Sequence, residues 1–468
     1  MSNNGTTTLE ISSDAELRRL VDAVQGDVIA PGDVAYDSAR MAWNLTVQQF
    51  PALIVVADSV ADVQAAIEYA SRQNLPVGVQ TTGHGLPRNC DGGLLIRIGR
   101  LNQVVVDAER RVAYVGGGAL WRDVLEVAQK AGLAGLSGSA PHVGVVGYTL
   151  GGGFSLLGRK YGLAIDAVHS MQVVLADGSL VRVAADENPD LFWAIRGGGG
   201  GFGVVVEIEM ALYPNADVFG GAILYPAAMA ADVYPKYLAW TRDLPDDVTS
   251  SISLMFFPPV PFIPEPLHNQ TFVIVTGCVT DLERGEELMR PMREIGGAVM
   301  DSFTTFPYAE SAAIYRDPVD PIPASGQGVL LHDLTPEALL ALIEGLGPMH
   351  RSPHLKCEIR HLGGAIGRGD HGDSSVGRRR EAKYLLYMLG VPMPPNSLEA
   401  MEAQAEQVFA LLGEHVMCPG PLNFIGEAKV PTERLHGVFA EEDLARLREI
   451  KQARDPQNRF AFAGLGLS

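Results

Sequence analysis

The hexapeptide Lys356-Cys357-Glu358-Ile359-Arg360-His361 sets a charge at every second position. Side chains alternate between the faces of a strand, so Lys356, Glu358 and Arg360 share one face, and Cys357, Ile359 and His361 the other. A carboxylate between two cations, beside Gly363-Gly364, suits a polar substrate pocket and offers Glu358 as a base. A salt-bridged, exposed sheet face accounts for the same pattern. Tyr384 and Tyr387 lie on the next strand candidate, 383–389, which carries no acid.

Glycine is abundant, at 52 residues, and gathers at 116–118, 151–153 and 197–201. Glycine lets backbone amides come close to a ligand, so several such loops suit a long, phosphate-bearing cofactor, while tight turns explain any one of them. The spacing Gly198-x-Gly200-x-x-Gly203 matches a dinucleotide fingerprint, but that motif must open a helix. Val204-Val205-Val206-Glu207-Ile208 favours a strand instead. The cysteines, Cys90, Cys278, Cys357 and Cys418, lie far apart with no C-x-x-C spacing. Neither a metal site nor a disulfide framework is expected.

These residues need elements to hold them. The first 210 residues alternate short strands, glycine turns and helices. Strands are read at 52–57, 75–80, 94–98, 104–107, 112–115 and 204–212, and helices at 60–73 and 120–131. Asp177-Gly178 joins 171–176 to 180–183 as a hairpin. Asn188 is placed to cap a helix starting at Pro189, with Phe192 and Trp193 in the core. From Tyr213 prolines cluster, and strands such as 271–277 and 355–361 alternate with helices such as 398–412. This reads as a second α+β lobe with an antiparallel sheet. The final helix, 441–454, turns Leu444, Leu447 and Ile450 inward.

Four segments together resemble a known family. They are Gln80-Thr81-Thr82-Gly83-His84-Gly85; the run from Ser137 through Ser139, Ala140, His142, Val143, Gly144 and Gly147 to Gly151, Gly152 and Gly153; Asn188-Pro-Asp-Leu-Phe-Trp193-Ala-Ile-Arg196 running on to Gly203, Val204 and Val205; and Asn423-Phe424 with Asp455-Pro456-Gln-Asn458-Arg-Phe460. Their order and spacing resemble the vanillyl-alcohol-oxidase or PCMH-type FAD-binding oxidoreductases, in the berberine-bridge-enzyme-like and 6-hydroxynicotine-oxidase-like subgroup. The resemblance implies an α+β, two-lobed fold. Residues 1–212 form the FAD-binding domain, 213–421 the substrate domain with an antiparallel sheet covered by helices, and 422–468 return to the first. It implies FAD as cofactor, held by those four segments, with one covalent bond from His84.

Departures from the family pattern narrow this. Gln80 stands where an arginine is usual. Ala140 replaces the cysteine of doubly linked members, so no thioether link forms. Pro421-Leu422-Asn423 replaces Tyr-x-Asn, so the tyrosine placed near the flavin is gone. The strand equivalent to 383–389 carries a catalytic carboxylate in berberine-bridge-like relatives, so the resemblance makes Tyr387 the candidate substitute base, set against a core tyrosine. The implied activity is an oxidase passing a hydride from a small secondary-metabolite-like alcohol, amine or phenolic to flavin N5 and then to O2. An FAD-dependent dehydrogenase, or a flavin-holding cyclase without net redox, stays open as an alternative.

The formal net charge of −19 disfavours nucleic acid and anionic membranes as partners. Met1 to Glu10 is polar, so a cytoplasmic location is expected. A monomer or homodimer is expected.

Overall fold

The computed structural model describes residues 15–261, 263–368, 372–426, 430–462 and 465–467. The polar segment 1–10 lies outside them. Three sheets organise the described residues. A four-stranded sheet runs in the order Asp27–Ile29, Leu53–Val56, Leu94–Arg97, Val77–Gln80. Its last three strands are parallel and nearly all apolar, as burial on both faces requires. The helix Val60–Arg72 covers it with Val63, Ala66, Ile67 and Ala70, all fully buried. Ser59 caps that helix by accepting from the Asp62 amide.

A five-stranded antiparallel sheet follows, in which Val168–Val174 and Leu180–Ala184 form the expected hairpin. The strand Val204–Ala211 follows the helix Pro189–Gly198 directly, so the dinucleotide spacing opens no helix. Phe192 and Trp193 are buried as expected. Asn188 is not a side-chain cap. Its backbone is left-handed, at φ 53°, and its amide donates to the Arg182 carbonyl across the hairpin.

The third sheet has nine strands, all antiparallel in their pairings, including Val248–Phe257, Lys356–His361 and Tyr384–Gly390. The helices Ala230–Arg242, Pro336–Leu346 and Leu398–Leu412 bury one face of it against Ile252, Cys357, Ile359, Leu386 and Met388. By alternation the opposite face carries Lys356, Glu358, Arg360 and Tyr387. Apolar packing on that side is continuous with the glycine-loop region, joining Leu136, Leu150 and Phe154 to Leu330, Leu385 and Ile425.

The last helix, Glu441–Arg454, buries Leu444, Leu447 and Ile450, and packs on Pro189–Gly198. Lys451 donates to the Gly201 carbonyl and pairs with Asp455 at 2.7 Å. Asp455 also accepts from the amides of Arg459 and Phe460, which explains the terminal motif as a buried hydrogen-bonding hub.

Arg159, from the short helix Gly158–Tyr161, ties the first 212 residues to the nine-stranded sheet. It donates to the carbonyls of Val248 and Leu362 and, at 3.1 Å, to His361 Nε2. Burial, then Arg159, pushes the His361 pKa from 6.5 down to about 2. The unfolded chain therefore takes up a proton that the folded chain refuses. Stability from this group is complete above about pH 6.5 and falls as pH drops toward 2. Wild-type protein should lose up to about 1.4 kcal/mol more per pH unit below pH 6 than His361→Gln, whatever the variant costs at neutral pH. Chemical denaturation at stepped pH measures this, and parallel curves would refute it.

Candidate active site

His84 sits between Gly83 and Gly85 just beyond the strand Val77–Gln80. Gly83 has φ +81°, and a Cβ there would press on Ala42. The turn therefore needs glycine, and it sets the imidazole flat against Trp43, with centroids 4.0 Å apart and planes at 12°. The Trp43 indole donates to the Val319 carbonyl, so a segment of the later half of the chain helps hold the ring. His84 Nδ1 lies 2.8 Å from Thr82 Oγ1, and Nε2 is buried without a hydrogen-bond partner among the described residues. Burial, then His142, lowers the His84 pKa to about 3, so the imidazole is neutral at any ordinary pH.

His84 lines a cavity of about 380 Å³. Its first wall comes from Gln80, Thr81, Thr82, Gly83 and Gly85. Its second comes from Ser139, Ala140, Val143, Gly144, Gly147 and Gly151, and its third from Gly203, Val204 and Val205. Asn423 and Phe424 close one side, and Arg360 and Tyr387 of the nine-stranded sheet another. Asn423 fixes the second wall by accepting from the Gly153 amide and donating to the Tyr148 carbonyl.

Not every residue expected at the site lines it. Gly152 and Gly153 lie in the turn that Asn423 pins, outside the cavity lining. His142 packs on His84 at 4.9 Å instead of lining the cavity. Lys356 and Glu358 lie behind Arg360. Gly363-Gly364 abuts Arg159, not the cavity, and glycines 116–118 serve close backbone packing against Ile98, Leu101 and Val205. Gln80 does not reach for a ligand. Its side chain accepts from Gln49 and donates to the Met41 carbonyl. Arg88 is a cavity-lining cation of the same loop, bonded to Thr432.

Glu358 is fully buried. Its Oε1 accepts from Ser251 at 2.7 Å and meets Lys356 Nζ at 3.2 Å, and its Oε2 meets Arg360 Nε and Nη2, each at 3.0 Å. Burial alone would raise its pKa, but Arg360, then Lys356 and Ser251, hold it down to about 2. A carboxylate so engaged is a weak base, contrary to the role read from the sequence. Trp43, Tyr148, Leu150 and Phe154 were not foreseen. Tyr148 lines the cavity with its hydroxyl buried and unpartnered among the described residues.

Residues 51–184 match the FAD binding domain family. (R)-6-hydroxynicotine oxidase of Paenarthrobacter nicotinovorans is 28% identical over 94% of this chain and 96% of its own. The crystal structure of 6-hydroxy-D-nicotine oxidase from Arthrobacter nicotinovorans superposes with a TM-score of 0.80 at 26% identity, covering 93% of this chain and 96% of that one. The protein is an FAD-linked oxidoreductase, and its fold is that of the PCMH-type FAD-binding proteins. Its fold is shared by glucooligosaccharide oxidase from Acremonium strictum, described with a 6-S-cysteinyl, 8α-N1-histidyl FAD, at a TM-score of 0.81 and 21% identity over 97% of this chain and 98% of that one.

The side chains of this FAD-linked oxidoreductase fit its cofactor. The cavity volume falls within the ~300–1,000 Å³ of small-molecule and cofactor sites. His84 Nε2 and the Tyr148 hydroxyl are polar atoms that lack protein partners among the described residues. Side chains on Gly85 and Gly147 would enter open space, where an extended ligand has room. Among the described residues no cluster of His, Cys, Asp or Glu is placed to hold a metal, and no helix is long and apolar enough to cross a membrane.

Proposed function

We propose that the protein is an oxidase of a small organic substrate, a secondary-metabolite-like alcohol, amine or phenolic, with O2 as electron acceptor and FAD held by one covalent bond to His84. FAD supplies the hydride acceptor; the chain supplies orientation, charge and dryness. In this reading residues 1–212 and 422–468 hold the cofactor, and 213–421 form the substrate wall.

The observation that carries the reading is the environment of His84. In the tautomer whose Nδ1–H donates to Thr82 Oγ1, Nε2 keeps its lone pair inside the cavity. Burial keeps that nitrogen unprotonated, and Trp43 fixes the ring plane. Ala140 lines the same cavity and has no thiol, which supports a single link. Four unpaired, buried cysteines support a reducing, cytoplasmic setting.

In the substrate wall, Tyr387 takes the place first given to Glu358. It lines the cavity and meets the Phe424 ring edge-on at 5.0 Å. A side chain on Gly326 would overlap its hydroxyl, so the backbone is shaped around this tyrosine.

Purified protein should be yellow, and its intact mass should exceed the chain mass by one FAD. Screening candidate substrates anaerobically should find one that bleaches the flavin, and readmitted air should restore the colour with formation of hydrogen peroxide. Bleaching without peroxide would assign a dehydrogenase. Turnover without bleaching would assign a non-redox role, as a flavin-holding cyclase.

A further inference from the structure

The Lys356–Glu358–Arg360 cluster holds two cations and one anion, and the three are not equally covered. The Glu358 side chain is 1% exposed, whereas Arg360 keeps 17% and Lys356 13%. The carboxylate is thus sealed behind its partners, and Arg360 alone of the three lines the cavity.

Nearby groups offset the surplus only at a distance. Tyr315 shares hydrogen bonds with Ser251 and Thr276, and burial, then Glu358, keeps its phenol neutral. Asp317 is engaged by Ser139 at 2.5 Å; its charge acts on Arg360 more weakly than that of Glu358, and no salt bridge joins it to Arg360 or Lys356 among the described residues. The Arg360 guanidinium is packed between the Phe424 ring at 4.9 Å and the Tyr315 ring at 5.4 Å. That packing fixes its plane. Glu358 takes Nε and Nη2, which leaves Nη1 as the edge without a protein partner among the described residues. A buried donor edge without a partner is costly, and a planar guanidinium edge is matched by an oxyanion.

We infer that Arg360, backed by Lys356 and oriented by Glu358, is a specificity site for an anionic substrate group, a carboxylate or an ionised phenol, bound at the cavity wall that the nine-stranded sheet supplies. The inference rests on the flavin-oxidase reading above, and it selects acids and phenolates over amines among the substrates that reading allows. The aromatic rims Phe424, Tyr387 and Tyr315 suit a flat, conjugated body attached to that oxyanion.

The test uses FAD-loaded protein as purified, with benzoate, benzamide and benzylamine as probes, read by flavin absorbance and calorimetry. Benzoate is expected to perturb the flavin spectrum and saturate, with benzamide and benzylamine weaker by roughly tenfold or more. Arg360→Gln should remove the preference for benzoate, and Arg360→Lys, which keeps the charge without the planar edge, should retain part of it. Equal binding of benzoate and benzamide to yellow wild-type protein would overturn the inference, and needs no variant to fold. The charge could instead serve the reduced flavin. In that case Arg360→Gln lowers the flavin midpoint potential while benzoate binds wild type and variant alike, and the inference again fails. Protein isolated without flavin would refute the oxidase reading itself, a separate outcome visible before any probe is added.

Discussion

Acid precipitation of His84→Ala protein is expected to give a colourless pellet and a yellow supernatant, where wild-type protein gives a yellow pellet. Loss of the link should be complete, because Ala140 leaves no second nucleophile at the loop where a cysteine would stand. Binding should not vanish. Backbone and side chains from three separate loops line the cavity, and Thr82 is the one among the described lining residues that bonds to the imidazole. The supernatant should therefore hold close to one FAD per chain at purification, falling with extensive dialysis.

Thr82→Val probes the tautomer. Without the hydroxyl that meets Nδ1 at 2.8 Å, the ring loses the bond that directs its proton away from Nε2. Linkage should become partial or slow. The pH dependence is equally specific. A histidine of pKa about 6.5 would be over nine-tenths protonated near pH 5. His84, held at about 3, stays neutral there. The rate at which added FAD becomes acid-stable on flavin-free protein should hence change little between pH 5 and 8. A tenfold fall toward pH 5 would show that the ring titrates normally. Wild-type flavin that is wholly acid-extractable would remove His84 as the anchor.

Much of the fold was legible because the relevant signals are local. Leu53–Val56 is an unbroken apolar run, and Leu398–Leu412 is bracketed by the Ser397 cap and Gly413. The alternation in Lys356–His361 placed its charges on the correct shared face. What stayed hidden depends on partners remote in sequence. Trp43 stacks on His84 across 40 intervening residues, with nothing in the local pattern to mark it. Gln80 looked like a missing charge, and its meaning appears only with Gln49 and Met41 beside it. Asn188 had the residue type of a cap, yet its amide was claimed by Arg182 of the adjoining hairpin. Glu358 was read as a base because its face was known and its burial beneath two cations was not.

Glu358→Gln is expected to be among the most damaging single substitutions in the substrate wall, through structure and charge, without removal of a base. The amide cannot balance Lys356 and Arg360, so two cations remain in a nearly closed space. Breaking a buried ion pair in this way costs about 3–5 kcal/mol. The unfolding midpoint should fall accordingly, and Lys356→Met added to Glu358→Gln should recover part of the loss by removing the repulsion. Two independent roles would instead give additive losses. The pH dependence carries a second signature. The folded-state pKa of about 2 lies below the ordinary 4.5, so the stabilisation from Glu358 is present above about pH 4.5 and is lost as pH falls toward 2. The variant should lack that acid-side loss. For turnover, a true base predicts a roughly 10²-fold or larger drop in the reductive rate and the loss of an acid limb from the pH profile. An anchor for Arg360 predicts a raised KM for an anionic substrate, with the profile of the surviving activity unchanged. The four contacts that occupy both carboxylate oxygens favour the second outcome, because a proton from the substrate would find neither oxygen free to receive it.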